Sequence, residues 1–410
     1  MQTTDVVVAG AGPSALVAAA LLARQGLSAA IVGPQPHPDS DPRTIALMQP
    51  SIRLLCHLGL WQGKLLDVAQ PLRRLRLIDD TGGTLTAPAI TFSAAELNLE
   101  EFGWNLPVAA LTQALRELCF TSGVTHITGR IDGLAEAGGA VSVRCRGSDT
   151  ELAARIIVAA DGRDSFVRQA LGIAADEWSY EQSAIATTFG HSAAHEDQSI
   201  EYHRPSGPLT TVPLPDQRCG LVWMEAPERA GELMALSDEE FACELQAAMH
   251  GHLGRIFAVG RRHAFAMRGL LASEFGGPRA LLVGEAAHVL PPIGAQGLNM
   301  SFRDAATAAE LIGEAHRKGG DPGSAEVVRR YGELRRRDVL PRQGLIHAMN
   351  QSLLSRLLPI SALRALGMAA IDRFGPLRKV VMNEGLAPSQ PLPLAMRPQG
   401  TTGGVLPDTQ

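Results

Sequence analysis

The stretch DVVVAGAGPSALVAAALLARQGLSAAIVG, residues Asp5 to Gly33, decides the fold because it contains a complete βαβ pattern. The β-branched run Asp5–Ala9 predicts a buried strand. The alanine- and leucine-rich run Pro13–Gln25 predicts a helix that Gly26 ends, and Ser28–Val32 predicts a second strand. A unit of this kind indicates an α/β fold with a parallel sheet.

The turn between the first strand and the helix is Gly10-Ala11-Gly12-Pro13-Ser14-Ala15, which matches the dinucleotide-binding pattern GxGxxG/A. Gly10 permits the tight turn, Gly12 lets the backbone approach a pyrophosphate, and Ala15 is small enough for close packing of the helix on the strand. The free N–H groups at the helix N-terminus favour a phosphate. A glycine turn that binds no ligand is the alternative interpretation.

One part of this pattern is missing. An acidic residue that holds a ribose hydroxyl is expected about 20 residues after the glycines. The chain has Val32 and Gly33 there, and the next acids are Asp39 and Asp41 in a polar segment. These two acids would reach the ribose only if the segment folds back, so the pattern supports a pyrophosphate contact more than a ribose contact.

Two further motifs place glycine turns at the ends of apolar runs. Arg155–Ala160 leads into Asp161-Gly162, with Ser165 and Arg168 shortly after. A carboxylate at the end of a strand lies where open α/β sheets bind ligands. The other motif is GEAAHVLPPIGAQGLN, residues Gly284 to Asn299, between an apolar run and the helical pattern Met300–Ile312. This loop is long, nearly uncharged and stiffened by two adjacent prolines, and taken alone it favours a rigid turn that packs on other parts of the protein.

The composition narrows the function classes. The chain has 410 residues, 45% of them hydrophobic and 19% charged, with a net charge of -5. These values predict a globular protein of two or three domains, or of one large α/β unit with an insertion, and give no support to nucleic acid as a partner. The five cysteines form no CxxC pair, so we expect no metal site, and each cysteine is expected to be a small core residue of a reduced chain. Val6–Ala23 has no charge, but Asp5 and the early glycines argue against a membrane span or signal peptide.

The texture of the sequence changes between about Asp176 and Arg262. Here Ser237–Met249 predicts a helix, and four short runs between Pro and Gly turns predict the strands Ile185–Phe189, Ser199–Tyr202, Leu209–Val212 and Cys219–Trp223. We expect this β-rich insertion to shape a substrate pocket. After Leu345 the pattern is helical and rich in leucine and arginine, with a break at Pro359.

Taken in order, the three glycine motifs resemble those of the class A flavoprotein aromatic hydroxylases. Within that class the chain is most similar to the ubiquinone-biosynthesis hydroxylases, the UbiH/COQ6 family. Similar segments are Asp41–Leu47 after the second strand, Ser206–Trp223 in the insertion and Arg373–Leu377 near the C-terminus. The resemblance covers about residues 3 to 388 and implies FAD as cofactor, NADH or NADPH as co-substrate, and O2.

The resemblance also implies roles for individual residues. Gly10, Gly12 and Ala15 would hold the FAD pyrophosphate, and Arg43 would lie near the phosphates or the nicotinamide donor. Asp161 and Gly162 would serve both FAD and NAD(P)H, and Glu285 would contact the ribityl chain and phosphate. These cofactor-binding residues are Gly10, Gly12, Ala15, Arg43, Asp161, Gly162, Glu285, Gly297, Leu298 and Asn299.

In the loop Gly284–Asn299 the resemblance implies a wall against the flavin ring. The N–H groups of Gly297, Leu298 and Asn299 start a helix and would face the negative charge near N1 and O2 of a reduced flavin. Pro292, Gly294 and Gly297 would position the ring, with no obligate acid or base. We expect His288 to be a structural, hydrogen-bonded residue beneath this loop rather than a catalytic one.

The chain departs from the family pattern at three positions. Gly33 stands where the ribose acid is expected, and Glu285 stands where the family usually has Asp. Near residue 108 the family often has an Asn-Arg pair that contacts FAD, and here the chain has Val108-Ala109.

By resemblance the domains are arranged as follows. A discontinuous, Rossmann-like FAD-binding domain comprises residues 1–75, 100–175 and 265–345, and a substrate-binding β-rich domain comprises residues 76–99 and 176–264. A C-terminal helical region of residues 346–384 and a loose tail of residues 385–410 complete the chain. A cytoplasmic location is expected, with peripheral contact to the inner membrane.

The implied activity is hydroxylation of an electron-rich aromatic ring through a flavin C4a-hydroperoxide, on a prenylated phenol of ubiquinone biosynthesis. Other quinone-biosynthesis enzymes are expected partners. The membrane contact would use Arg356, Arg364, Arg373, Arg378 and Lys379 among neighbouring leucines, although an ordinary packed helix with solvated arginines is an equal alternative. The alternatives for the activity are a soluble hydroxylase of a small aromatic acid, a flavin-dependent prenyl reductase and a non-catalytic flavoprotein scaffold.

Overall fold

The computed structural model describes residues 2–35, 43–82, 87–147, 150–354, 358–386 and 391–398. Asp39 and Asp41 lie outside the described residues. The helices are α1 (Pro13–Arg24), α2 (Gln49–His57), α3 (Val108–Thr121), α4 (Phe166–Ala170), α5 (Pro227–Ala235), α6 (Asp238–Ala248), α7 (Gln296–Arg317), α8 (Ala325–Leu354), α9 (Leu358–Arg373) and α10 (Gly375–Leu386).

The strands fall into three sheets. They are β1 (Gln2–Ala9), β2 (Ala29–Gly33), β3 (Thr44–Met48), β4 (Gln70–Leu72), β5 (Arg74–Asp79), β6 (Ile90–Ser93), β7 (Gly103–Pro107), β8 (Thr125–Thr128), β9 (Arg130–Ala137), β10 (Ala140–Arg146), β11 (Glu151–Ala159), β12 (Ala175–His191), β13 (Gln198–His203), β14 (Leu209–Leu214), β15 (Arg218–Glu225), β16 (Ile256–Phe257), β17 (His263–Ala272), β18 (Gly276–Gly277), β19 (Ala280–Leu282) and β20 (His288–Val289).

The first sheet has eight strands and a parallel centre in the order β19-β11-β1-β2-β8. Val6, Val7 and Val8 of β1 are completely buried; α1 packs on the sheet, and α7 packs on α1. The predicted βαβ unit and the α/β fold class are therefore confirmed. Ala9 of β1 lies opposite Ala159 of β11, so the two strands end at the same carboxyl edge of the sheet.

The second sheet has nine strands in the order β20-β17-β12-β15-β14-β13-β5-β6, with β16 beside β12. All four strands predicted in the insertion belong to it, and the helix predicted at Ser237–Met249 is α6. One face packs on α5 and α6 through a core that includes Trp223 and Phe241. β20 lies inside the loop Gly284–Asn299, so this loop is hydrogen-bonded to the second sheet.

The other face of the second sheet approaches the small sheet β3-β7-β4. A Cβ atom at Gly220 of β15 would lie 2.1 Å from the Thr44 Oγ1 atom of β3, so only glycine fits here. Leu75, Leu77 and Phe92 of β5 and β6 share an apolar cluster with Met48 and Ala295. The two layers therefore meet over β3 and over the loop that precedes α7.

Two details differ from the sequence predictions. Cys119, Cys145 and Cys219 are buried as expected, but Cys56 and Cys243 are exposed, because they lie on the solvent faces of α2 and α6. The break at Pro359 stays a prediction, because residues 355–357, immediately before α9, lie outside the described residues. Residues 391–398, within the segment expected to be loose, pack on the body of the protein, and Met396 is completely buried.

Two features are absent from the part of the chain that the structure describes. None of its helices is long and apolar enough to cross a bilayer. Its His, Cys, Asp and Glu side chains form no group of three or more that could hold a metal ion.

Candidate functional site

Gly10 is where the first two glycine motifs touch. Its φ is +105°, and a Cβ atom at this position would lie 2.2 Å from the Ala160 carbonyl oxygen, immediately before Asp161. The Gly10 N–H also donates to the Val32 carbonyl. Glycine is therefore required at this turn by the protein itself, both for its backbone angle and for the closeness of the neighbouring strand.

Gly12 is different, because nothing in the described structure requires glycine there. Its φ is -78°, and a Cβ atom would have no neighbour within 4 Å. It is the N-cap of α1, which has no side-chain cap and no acidic residue in its first turn. Free N–H groups therefore face open space, which is the arrangement that accepts a phosphate. Ala15, three residues on, is completely buried between the helix and the sheet.

The structure explains the missing acid at Gly33. A Cβ atom there would lie 2.8 Å from the Cβ and N atoms of Ala11 and 2.8 Å from the Gly10 carbonyl carbon. The glycine turn thus crosses the end of β2 too closely for any side chain. A ribose hydroxyl must find its acceptor elsewhere.

The Asp161-Gly162 motif lies at the same carboxyl edge. Asp161 Oδ2 accepts the Val167 N–H at 3.3 Å, whereas Asp161 Oδ1 is buried and has no hydrogen-bond partner among the described residues. Burial raises the pKa of this carboxyl. Gly162 has φ +86°, a conformation that favours glycine. A buried carboxylate oxygen without a partner indicates a ligand donor such as a hydroxyl.

Arg168 and Arg163 connect this motif to the loop Gly284–Asn299. The buried Arg168 guanidinium donates to the Ala286 carbonyl at 2.9 Å and to the Arg163 carbonyl at 2.9 Å. Ser165 caps the short helix α4 by accepting the Arg168 N–H. The Arg163 Nε atom lies 3.7 Å from Glu285 Oε2, and both side chains are partly exposed. Glu285 is therefore at the edge of the site with a basic partner.

Gly284 connects the loop to the first motif. Its φ is +62°, and a Cβ atom there would lie 2.8 Å from the Ser301 Oγ atom and 3.6 Å from the Ser14 Oγ atom. Ser14 belongs to the first turn of α1, and Ser301 belongs to α7. All three motifs thus meet at one edge of the parallel sheet.

The loop ends in a tightly wound turn. Pro292 has φ -75°, and both Gly294 and Ala295 adopt left-handed angles, with φ +63° and +54°. Helix α7 then begins at Gln296, four residues before the predicted helical pattern. Because the first four N–H groups of a helix lack partners within it, the free groups belong to residues 295–298. Gly297 has no atom within 4 Å of its Cβ position, so open space lies beside it as beside Gly12.

Asn299 is used differently from the expectation. It stands beyond the first free N–H groups of α7, so Gly297 and Leu298 remain to face a ligand while its own N–H is that of an interior helix residue. Its side chain donates to the carbonyls of Ala46 and Ala295 at 2.8 and 2.7 Å. It also accepts the Met48 N–H at 2.9 Å and the Ser51 hydroxyl at 2.7 Å. The amide therefore fastens β3 and α2 to the start of α7.

Arg43 and Val108 lie beside each other at a further corner of the site. The Val108 N–H donates to the Arg43 carbonyl at 3.0 Å, and the Arg43 side chain is exposed. Val108 begins α3 and is buried, and Ala109 is half-buried, so no amide or guanidinium reaches the ligand from these two positions. Arg43 is the cation that remains at this corner.

A buried charge network that the sequence did not reveal lies beneath the loop. Asp304 Oδ2 accepts the Gly284 N–H at 2.8 Å and lies 2.7 Å from His288 Nε2. Asp304 Oδ1 accepts Arg335 Nε at 2.6 Å. Burial raises the pKa of Asp304. The charges of Arg335 and His288 lower it by more than burial raises it, so the pKa is below its usual range. His288 is thus buried and hydrogen-bonded, as the sequence led us to expect.

The network continues along α8 to the other end of the loop. Asp338 accepts Arg303 Nε and an Arg335 Nη atom, each at 2.8 Å, and Arg342 Nε at 3.0 Å. Arg342 also donates to the Gln296 side chain at 3.3 Å. Arg342 of α8 thus contacts the loop directly at Gln296, and Arg335 of the same helix reaches the Gly284 end through Asp304 of α7.

These features suit FAD. The N-termini of α1 and α7 carry Gly12 and Gly297, which the packing of the protein does not itself require, so they can bind a pyrophosphate and a flavin ring. The Asp161 Oδ1 atom, which has no partner among the described residues, can accept a hydrogen bond from a hydroxyl. Arg43 and Arg163 supply positive charge at the rim. The residues present thus fit the cofactor, although the adenosine ribose lacks its usual acid.

The chain is similar to known proteins over most of its length. A family model described as FAD binding domain matches residues 3–338. The ubiquinone hydroxylase UbiL of Rhodospirillum rubrum is 32% identical over 392 residues, which are 94% of this chain and 90% of that protein. The 3-demethoxyubiquinol 3-hydroxylase of Escherichia coli is 27% identical, covering 94% of this chain and 99% of that one. The crystal structure of p-nitrophenol 4-monooxygenase PnpA from Pseudomonas putida superimposes with a TM-score of 0.76 at 19% identity, over 94% of this chain and 99% of that chain.

Proposed function

The chain belongs to the FAD-binding-domain family, and from that premise we propose that it is an FAD-dependent monooxygenase that hydroxylates a prenylated phenol in ubiquinone biosynthesis. NAD(P)H supplies electrons and O2 supplies the oxygen atom. When FAD is bound it carries the electron transfer and oxygen activation, and the protein supplies position and dryness.

The residues of the carboxyl edge divide the binding of FAD between them. The α1 N-terminus with Gly12 receives the pyrophosphate, and the N–H groups of Gly297 and Leu298 stabilise negative charge on the ring. Pro292 and Gly294 shape the wall of the turn beside it. The Asp304 network holds this wall in place, because it binds the loop at Gly284 and His288.

One observation supports a lipophilic substrate. The face of the second sheet that lies over the loop is apolar at β5 and β6, where Leu75, Leu77 and Phe92 pack with Met48 and Ala295. A small aromatic acid would call for a cationic rim on this face. We therefore infer that the nine-stranded sheet shapes the pocket for an apolar ring and its prenyl chain.

We also propose that α9 and α10 contact a membrane. Twelve large hydrophobic side chains are exposed among the described residues, and seven of them lie between Leu345 and Val381. We call the exposed set Leu366, Phe374, Leu377, Val380 and Val381 the α9–α10 face.

The same two helices also contact the proposed pocket. Met368 and Met382, on their inner side, pack in the apolar cluster with Ala295. The helices that carry the α9–α10 face therefore extend from the exposed surface to the proposed pocket, which suits a substrate that resides in a bilayer. Arg373 and Lys379 are exposed beside the α9–α10 face and would attract anionic lipids.

Arg378 does not belong to this face. It forms a bidentate ion pair with Glu96, at 2.6 and 2.8 Å, which fastens α10 to the segment after β6. The side chains of Arg356 and Arg364 lie outside the described residues. A peripheral position on the inner membrane, beside other quinone-biosynthesis enzymes, is the location that this proposal implies.

The test is a reconstitution under air. Purified protein with added FAD should show a flavin spectrum that NADH or NADPH bleaches and oxygen restores. With a prenylated phenol, the product should gain one oxygen atom, and ¹⁸O2 should label it. Saturation of a prenyl double bond without oxygen uptake would instead identify a reductase, and failure to bind FAD would leave a scaffold as the function.

A further inference from the structure

Two titratable side chains that the site described above does not use lie next to each other on β13. His203 Nε2 is 2.8 Å from Glu201 Oε1, and each residue is only 5% exposed. Because they are two residues apart on one strand, both point to the same face of the sheet. Buried Glu and His side chains are uncommon unless they are well satisfied, so the pair requires an explanation.

The register shows which face this is. The alternate residues Ile200 and Tyr202 pack against α5 and α6, and the Tyr202 hydroxyl donates to the Met249 carbonyl. Glu201 and His203 therefore point to the opposite side.

On that side Glu201 lies opposite Leu77 of β5, and Leu77 packs in the cluster with Ala295. Its other neighbour, Thr210, lies opposite Val222 of β15, two residues from Gly220, which meets β3. The pair is thus on the face that covers the loop Gly284–Asn299.

The hydrogen bonds of the pair are incomplete. Among the described residues the His203 ring is the one hydrogen-bond partner of the Glu201 side chain, and His203 Nδ1 is buried without a partner. Asp79 of β5 lies opposite His203, but its carboxylate accepts hydrogen bonds from Thr81 and from the Ala87 N–H. A buried carboxylate whose one partner is an imidazole, and an imidazole nitrogen with none among the described residues, cost free energy unless a ligand completes their hydrogen bonds.

We propose that Glu201 is a catalytic residue that accepts the proton of the substrate's phenol hydroxyl, and that His203 is the positioning residue that shares this proton. The inference rests on the proposed function, since it assumes a phenolic substrate on this face. A phenol has a pKa of about 10 and is mostly un-ionised at neutral pH. A base within hydrogen-bond reach of this hydroxyl would therefore assist the reaction by removing its proton.

The phenol O–H bond breaks, and the proton is held between Glu201 and His203 as an O–H or an N–H. The electron pair left on the phenol oxygen enriches the ring carbons ortho and para to it, so one of them bonds more readily to an oxygen atom from O2. That carbon then loses its hydrogen as a proton, the phenol oxygen regains a proton from the pair, and the ring is aromatic again. NAD(P)H supplies the two electrons with which the second oxygen atom leaves as water.

The test compares two substrates in the FAD-loaded full-length protein. One is a prenylated phenol, and the other is its ring-fluorinated analogue, whose hydroxyl is already ionised at the assay pH. Glu201→Gln should lower kcat for the phenol by about 10²- to 10⁴-fold relative to the wild type. For the ionised analogue the loss should be under about tenfold, because no proton has to be removed.

Glu225→Gln is the matched control. Glu225 is also buried in this sheet, but it is on the face of Trp223, whose indole N–H it accepts at 3.0 Å. It should lose the same small factor with both substrates. His203→Gln should lie between the wild type and Glu201→Gln, with the same rescue by the ionised analogue.

The outcomes separate the two proposals. If the wild type hydroxylates the phenol and Glu201→Gln loses equal factors with both substrates, Glu201 is structural and this inference is overturned. If Glu201→Gln binds FAD and retains wild-type kcat, it is overturned as well. If the wild type reduces and reoxidises its flavin but oxygenates neither phenol, the proposed function itself has failed.

Discussion

His288 Nε2 lies 2.7 Å from Asp304 Oδ2, and the two side chains are 1% and 0% exposed. The same carboxylate oxygen accepts the Gly284 N–H, and the other oxygen accepts Arg335 Nε. The buried Asp304 carboxylate thus connects the start of the loop Gly284–Asn299 to α8. The position of the loop depends on this carboxylate, although it does not itself line the proposed site.

Asp304→Asn should destabilise the protein strongly. The amide leaves Arg335 with Asp338 as its remaining carboxylate partner, and Asp338 is shared with Arg303 and Arg342. Breaking a buried ion pair of this kind costs about 3–5 kcal/mol. Denaturant unfolding measures the loss. The control is Asp132→Asn, which breaks an exposed pair with Arg144 at 2.9 Å and should cost about 0–1 kcal/mol. Equal losses in the two variants would show that the buried network contributes nothing special.

Acid should weaken the fold through the same network. Burial raises the pKa of both Asp304 and Asp338, but neighbouring cations, chiefly Arg335, lower both below the usual range. A carboxyl whose pKa is depressed by folding stabilises the protein above its unfolded pKa of about 4, and this stabilisation is lost as the pH falls. The free energy of unfolding should therefore decline below about pH 5, and the decline should be smaller in Asp338→Asn. An equal decline in that variant would contradict the assignment.

Two glycine substitutions should separate cofactor binding from folding. Gly12 and Gly297 have open space at their Cβ positions. Gly12→Ala and Gly297→Ala should leave the free energy of unfolding within about 1 kcal/mol of the wild type. They should nevertheless weaken FAD binding at least tenfold, because a methyl group enters the space of the ligand. Fluorescence titration of the apoprotein with FAD measures this.

Gly10→Ala is the matched comparison. Its φ of +105° and the 2.2 Å approach of Ala160 predict a loss of stability of about 3 kcal/mol or more. The hypothesis of a cofactor at the edge would be refuted by wild-type FAD affinity in both Gly12→Ala and Gly297→Ala.

The sequence predicted the parts of this site that follow from local chain geometry. The βαβ unit and the strand-turn motifs at Asp161 and Gly284 are local patterns, and parallel strands bring their carboxyl ends together. Topology then determines that the motifs meet. The four strands of the insertion are predicted from the Pro and Gly turns that bound them, which are also local patterns.

The parts that were missed depend on distant partners. Asp304 and Arg335 are on different helices, and nothing in the sequence around either one identifies the other. Glu201 and His203 are an ordinary polar alternation on a strand, and only the register places Glu201 beside Leu77, which packs in the apolar cluster with Ala295. The role of Gly33 also depends on the third dimension, because only the crossing of Ala11 shows why no acid fits there.

Gly33→Asp should therefore fail to restore a ribose contact. The new Cβ atom would lie 2.8 Å from backbone atoms of Gly10 and Ala11, so the turn must shift. Overpacking of this kind costs about 1–3 kcal/mol, and FAD binding should weaken because the turn is the pyrophosphate site. Thermal unfolding and FAD titration measure the two effects. Tighter FAD binding in this variant would show that the turn has room for the usual acid.

Membrane contact should depend on the α9–α10 face and not on exposed apolar surface in general. Phe374 is 65% exposed on this face. Phe120 is 84% exposed on α3, which packs on α1 beside the first sheet. Phe374→Ser should weaken binding to vesicles of anionic lipid by about tenfold, since burying an aromatic side chain in the interface contributes about 1.5–3 kcal/mol. Phe120→Ser should leave vesicle binding unchanged.

The basic residues beside this face provide an independent arm of the same test. Lys379→Glu removes one attraction and adds a repulsion, and each basic residue near an anionic surface contributes about 1 kcal/mol. Its effect should disappear at high salt, because exposed charges are screened, whereas the effect of Phe374→Ser should persist. Vesicle co-sedimentation at low and high salt measures both. If Phe120→Ser and Phe374→Ser weaken binding equally, or if the wild type does not bind vesicles, the α9–α10 face is not the membrane contact, and the substrate must reach the pocket by another route.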